Sequence, residues 1–194
     1  MYTASFRIIG IAPLSQSAFL HEPKLEKEQP DAYEKRVWQK RMHVTDSGQV
    51  YIPPMALKNC LSECAQFLSI QIPGKGKSTF TKHFLAGLLC TDPVLLFNGA
   101  APVLASEVVG EWLMMNSDGV KGSGKRVPRC YPRIVHWQGD ATIQVLDEMI
   151  THEVLERHLE EAGSIIGMGR FRPRVGGYYG RFRHENFKTQ AKVK

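Results

Sequence analysis

Two apolar stripes at helical spacing, each set between β-prone runs, constrain this chain more than any other feature. Leu57, Cys60, Leu61, Cys64, Phe67 and Leu68 recur at i, i+3, i+4 and i+7 behind Pro53 and Pro54, which suit a helix start. Val154, Leu155, His158, Leu159 and Ala162 form a second such face after Thr151, a capping residue, and the run stops at Gly163 or Gly167. Each helix must bury its stripe against something, and the flanking sequence offers a sheet. TASFRIIGI, Thr3 to Ile11, reads as a buried first strand, and TIQVL, Thr142 to Leu146, alternates as a half-covered one. LLCTDPVLLF reads as a strand interrupted at Pro93, which places it at an edge or a bulge, and Tyr178 to Arg183 reads as the last strand. The order strand, helix, strand, strand, helix, strand predicts an α+β, ferredoxin-like βαββαβ antiparallel sheet with both helices on one face.

A chain of 194 residues supports one core of this kind. We read residues 1–194 as a single domain with insertions at about 15–49, 70–86 and 99–133. The first insertion carries a polar excursion and a short helix from Asp31 to Met42 with Asp31 as its cap, then the hairpin signal Asp46-Ser47-Gly48 inside HVTDSGQVYIP. Val120 to Arg129, VKGSGKRVPR, has neither periodicity nor apolar content and reads as a mobile basic loop. No apolar run approaches the ~20 residues that span a bilayer, and MYTASFRIIG has no charged region leading into an apolar one, so we expect a soluble, cytoplasmic protein. Cys60, Cys64, Cys90 and Cys130 lack the paired spacing of a zinc site and read as small buried hydrophobes; no metal or other cofactor is expected.

The net charge of +6, from 25 Lys and Arg against 19 Asp and Glu, matters less than where it sits. Lys75 to Lys82, Lys121 to Arg133 and Arg170 to Arg183 are nearly free of acids. The sharpest segment is GMGRFRPRVGGYYGRFR, Gly167 to Arg183. Its Arg170, Arg172, Arg174 and Arg181 supply forked donors, Phe171 and Tyr178 supply flat faces for unstacked bases, and Gly167, Gly169, Gly177 and Gly180 permit close backbone approach. The competing reading places Phe171, Tyr179 and Phe182 in the core of the final strand and the arginines on a solvated edge.

IPGKGKST, Ile72 to Thr79, lacks the leading glycine of a phosphate-binding P-loop, since position 71 is Gln, and it follows a helix rather than preceding one. Lys75, Lys77 and Lys82 therefore read as a basic loop touching phosphate, and Lys121, Lys125, Arg126 and Arg129 as a second. His21 and His43 are the weak candidates for a general base in RNA cleavage; His158 falls on the apolar helix face as a core residue.

A helix running into Gly-x-Gly, a basic stretch and a further glycine-rich turn resembles the C-terminal glycine-rich loop of the repeat-associated mysterious protein (RAMP) superfamily of CRISPR RNA-binding subunits. VYIPPMALKNCLSECAQFL, Val50 to Leu68, is similar to that superfamily's element leading into the first helix. The departures are Pro54, Met55 and Ala56 where the family has Gly-Ser-Ser, and Asn59 where it has Gly. A looser resemblance is to uncharacterised phage and prophage proteins. The RAMP likeness implies single-stranded RNA binding, often by stacked subunits, with phosphate contacts on Lys58, Gly167, Gly169, Arg170, Gly177 and Gly180. Its partners would be single-stranded RNA or DNA, further copies of the chain, and other CRISPR or phage subunits in a bacterial cell. It leaves open a processing endoribonuclease and a phage-encoded mimic of a CRISPR subunit.

Overall fold

The computed structural model describes residues 1–117 and 124–191. At its centre is strand β1, Tyr2–Gly10, paired antiparallel on both sides. Tyr2, Ala4, Phe6 and Ile8 are buried while Ser5 between them is exposed, the period-two pattern of a sheet covered on one face. One neighbour of β1 is β10, Phe182–Ala191, and the other is β9, Gln138–Val145. The far edge of β9 is met by two fragments, β3 (Leu88–Leu89) and β5 (Phe97–Asn98), and β5 turns into β6 (Ala101–Pro102).

Two helices close the core. α2, Pro54–Leu68, contributes Leu57, Cys60, Leu61 and Cys64, and α4, His152–Glu161, contributes Leu155 and Leu159 to the cluster that holds the inward residues of β1 and β9. The Thr151 hydroxyl accepts the Val154 N–H, so the expected cap is present. All four cysteines are buried and unpaired. Burial pushes the Cys64 thiol up to about 12 and those of Cys90 and Cys130 up to about 11, leaving them as protonated packing groups. No described helix is long and apolar enough to cross a membrane.

Several local expectations are corrected. The final strand is Phe182–Ala191 rather than Tyr178 to Arg183; its alternation is mostly polar, and pairing with β1 is what makes it a strand. LLCTDPVLLF breaks into three pieces, because the middle piece β4, Val94–Leu95, leaves the main sheet to pair with β2, Tyr51–Ile52. The short helix α1 spans Pro30–Val37 and continues as a 3-10 turn through Arg41, and Asp31 does not cap it. The α2 helix ends at Leu68, ahead of the expected Ile72-Pro73, with Ser69 in a left-handed conformation. The hairpin at Gly48 is present, with Gly48 at positive φ and Thr45 N–H donating to Gln49 O.

The largest correction concerns the basic loop. Arg126 and Arg129 lie in strand β8, Arg126–Arg133, which forms an eight-residue antiparallel hairpin with β7, Val109–Asn116. The sequence hides this strand, because its Pro128, Arg129 and Pro132 are poor strand formers and its partner supplies the order. Lys121 lies outside the described residues.

His158 sits fully buried in the core, tilted against Phe84 with a centroid distance of 4.2 Å and edge-on to Phe80. Its Nδ1 donates to Val154 O at 2.7 Å, and Nε2 is enclosed without a hydrogen-bond partner. Burial holds the imidazole below its ordinary pKa. The unfolded chain therefore binds this proton more readily, so stability is complete above about pH 6.5 and falls as the pH drops toward the folded-state value. Thermal melts between pH 7 and pH 5 should show this decline, and a His158→Leu variant should flatten it.

Candidate nucleic-acid interface

The Gly/Arg segment does not extend into solvent as a tail. After α4 the chain makes a π turn, Ala162–Ile166, and Gly167 N–H closes it on Ala162 O. From there to Arg181 the backbone laces onto itself and onto the segment after β1. Met168 N–H donates to Gly180 O, Tyr179 N–H to Phe171 O, Arg170 N–H to Ser15 O and Gly180 N–H to Pro13 O, all between 2.7 and 3.0 Å. Two glycines permit this closeness. A Cβ on Gly177 would lie 1.8 Å from Phe171 O, and one on Gly180 would lie 1.8 Å from Met168 O. The N–H groups of Gly167, Gly177 and Gly180 are all given to carbonyls of the chain, so these glycines shape the turn rather than present free donors.

The arginines divide by environment. Arg170 is half-buried between two rings, its guanidinium carbon 3.2 Å from the Tyr131 centroid and 3.8 Å from that of Phe171. Its Nη2 reaches Met115 Sδ at 3.5 Å, Nη1 is enclosed without an acceptor, and burial lowers its pKa. Arg172 and Arg174 share Glu63 of α2 at 3.2 and 3.4 Å, and Arg174 also lies over Phe67. Arg181 donates to Ser164 O, and Arg183 pairs with Glu185. The acids missing from the segment itself thus come from α2 and β10. Tyr178 is exposed, Tyr179 and Phe182 are buried, and Phe171 is in between, so the core reading holds for Tyr179 and Phe182 while Tyr178 is left accessible.

Tyr131 ties this turn to the hairpin and to α1. Arg41 lies over the same ring at 4.6 Å. Glu34, fully buried, accepts from Arg41 Nη2 at 3.0 Å, from Arg129 Nη1 at 2.8 Å and from Cys130 N–H at 3.0 Å. Burial pushes the Glu34 carboxyl up, but these hydrogen bonds outweigh it and hold the group below the usual carboxylate range. Tyr179 OH closes the network by donating to Glu111 of β7 at 2.9 Å. Arg129 is therefore a docking residue of the hairpin.

Between the turn, the N-terminus of α2 and the segment after β1 lies a groove of about 390 Å³. Leu14, Ile52, Pro53, Ala56 and Met168 form an apolar wall. Gln16, Ser17, His43, Gly169, Arg170 and Arg172 supply its polar side. The first turn of α2 has no acidic residue and no side-chain cap. Gln16 is fixed, accepting His43 N–H and donating to Tyr51 O. Partial burial lowers the pKa of His43, which keeps its ring neutral near pH 7. Sequence reasoning missed Gln16, Ser17 and the Ile52–Ala56 wall, which carry no charge signal.

The other expected residues are dispersed. Lys58 projects from the side of α2 opposite Ala56 and Glu63, where its charge acts on Cys90 rather than on the glycine-rich turn. Lys75 and Lys77 are exposed on the loop closed by the Gln71–Thr79 bridge, and Lys82 is exposed on α3, Thr81–Gly87. Lys125 and Arg126 are exposed at the end of the hairpin where Arg126 pairs with Asn116, opposite its Val109–Arg133 base. His21 is exposed against Phe19, apart from the groove that holds His43.

No family model matches the chain, and no curated protein does. Solved structures do. A crystal structure of Cmr6 from Pyrococcus furiosus aligns over 93% of this chain and 97% of its own, with a TM-score of 0.50 at 11% identity. A chain in the cryo-EM structure of the Type III-B Cmr-beta complex bound to cognate target RNA aligns over 97% of this chain and 60% of its own, with a TM-score of 0.57 at 11% identity. The protein shares its fold, a mixed α/β architecture with antiparallel sheets, with these two chains.

Proposed function

We propose that the protein is a single-stranded RNA-binding subunit of a CRISPR-type ribonucleoprotein, holding the RNA backbone along the Gly/Arg turn and its groove. Taking β3 and β5 as two pieces of one strand, the sheet order supports reading the domain as a split β-α-β, ferredoxin-like one, with the turn between the second helix and the last strand. The observation that carries the reading is the charge held around this turn. Arg41, Arg129, Arg170, Arg172 and Arg174 face only Glu34, Glu63 and Glu111, a surplus of two positive charges on pre-ordered side chains. Arg172 and Arg174 are its accessible part, with side chains 33% and 45% exposed. A polyanion that neutralises them displaces counterions, which favours binding at low salt. Lys75, Lys77, Lys82, Lys125, Arg126 and Arg181 extend the footprint. The likeness to a chain from a complex bound to target RNA favours RNA as the ligand.

The test is binding of a fluorescent uridine 15-mer by anisotropy across a salt series. Affinity should fall steeply with salt. In the double variant Arg172→Gln, Arg174→Gln the log–log slope should become shallower by about 1.4, two contacts at ~0.7 each on a single strand. A double variant that binds with wild-type affinity and slope while keeping its melting temperature would sink this reading.

A further inference from the structure

We infer that the groove at the N-terminus of α2 takes one unstacked base of the bound strand, so that the site recognises a nucleotide and not the backbone alone. This rests on the RNA-binding reading above. The groove's volume, about 390 Å³, falls at the low end of the ~300–1,000 Å³ of small-molecule sites, the scale of one nucleotide rather than of a folded partner.

Its chemistry is divided as a nucleotide's is. Ile52, Pro53, Ala56 and Met168 offer an apolar wall to a base. Arg172 lines the same groove as Ala56 of the uncapped first turn of α2, so a phosphate entering it is favoured by both charge and helix dipole. His43, whose backbone N–H is held by Gln16 and whose ring is neutral, can donate to or accept from a base edge.

Neighbouring features narrow the choice. Both faces of the Arg170 guanidinium are occupied by Tyr131 and Phe171, so no base stacks on it. Single-stranded RNA presents bases already free of a duplex, and inserting one into an apolar slot gains roughly 1–3 kcal/mol. A backbone-only surface has no use for a concave apolar wall among its cations.

The experiment compares a fluorescent uridine 12-mer with a 12-mer of the same length made wholly of ribose-abasic units. Wild-type protein should bind the abasic strand more weakly by about 5- to 150-fold, the factor corresponding to one stacked base. Ala56→Phe, which fills the slot, should bring the affinity for the uridine strand down to that for the abasic one. Photo-crosslinking of a 4-thiouridine 12-mer to the wild-type protein, read by mass spectrometry, avoids reliance on that variant's folding and should label His43, residues 52–56 or Met168. Equal affinity of wild-type protein for the two strands overturns the base slot and leaves backbone binding standing. Crosslinks confined to Tyr178 or Trp112 overturn it as well. Failure to bind either strand removes the RNA-binding reading and the slot with it.

Discussion

Replacing Glu34 with alanine is expected to destabilise the protein by about 3–5 kcal/mol, the usual loss when one partner of a buried ion pair is removed. Glu34 is fully buried and serves three donors from two other elements: Arg41, Arg129 and the Cys130 N–H. Without it, Arg41 keeps a buried charge with no carboxylate at hand, and a backbone N–H in β8 loses its acceptor. At this chain length the change corresponds to a fall in melting temperature of roughly 10 °C. The damage should begin at the β7–β8 hairpin, which the Glu34 cluster fastens to α1, so limited proteolysis should cut there first. A double-mutant cycle of Glu34→Ala with Arg129→Ala should show strong coupling, the pair costing less than the sum of the singles. A Glu34→Ala protein within about 1 kcal/mol of wild type would show that the cluster does not hold the hairpin.

The second large effect is expected at Gly180. Alanine there would place its Cβ 1.8 Å from Met168 O in a residue at φ +67°. The two strands of the turn must part, which breaks the Met168 to Gly180 hydrogen bond and strains that from Gly180 N–H to Pro13 O. Left-handed backbone costs a non-glycine residue about 1–2 kcal/mol, and each lost hydrogen bond about 1, so the total comes to roughly 3–4 kcal/mol. Gly176 is the control. It has φ +84° but nothing within 4 Å of a built Cβ, so Gly176→Ala should cost only the backbone term of about 1–2 kcal/mol. Chemical denaturation of both variants separates the cases, and equal losses would mean that close packing of the turn contributes nothing. Because the turn forms one side of the groove, Gly180→Ala should also weaken RNA binding beyond its effect on folding.

The sequence by itself determined the elements whose residues carry their own reason. The stripes from Leu57 and from Val154 are helices because 3.6-residue periodicity leaves them one face to bury, and Thr151 starts its helix through a contact three residues away. The β1 strand follows from its apolar, β-branched run and β9 from alternation, and the turn at Gly48 from a positive φ that few residues other than glycine accept.

Tertiary structure decided what depends on partners distant in the chain. β10 is a strand because β1 offers a free edge, although its own pattern from His184 to Ala191 is that of a polar loop. The β7–β8 hairpin orders a proline- and arginine-rich run because Glu34, some 95 residues earlier, binds Arg129. The Gly/Arg segment was legible as a concentration of cations; which arginines stay accessible was not. Glu63 meets Arg172 across 109 residues and Tyr131 encloses Arg170, so only the folded chain separates accessible guanidiniums such as those of Arg172 and Arg174 from the enclosed one of Arg170. Local periodicity fixes secondary structure over a few residues, whereas charge pairing and burial are set by whichever surfaces the fold brings together.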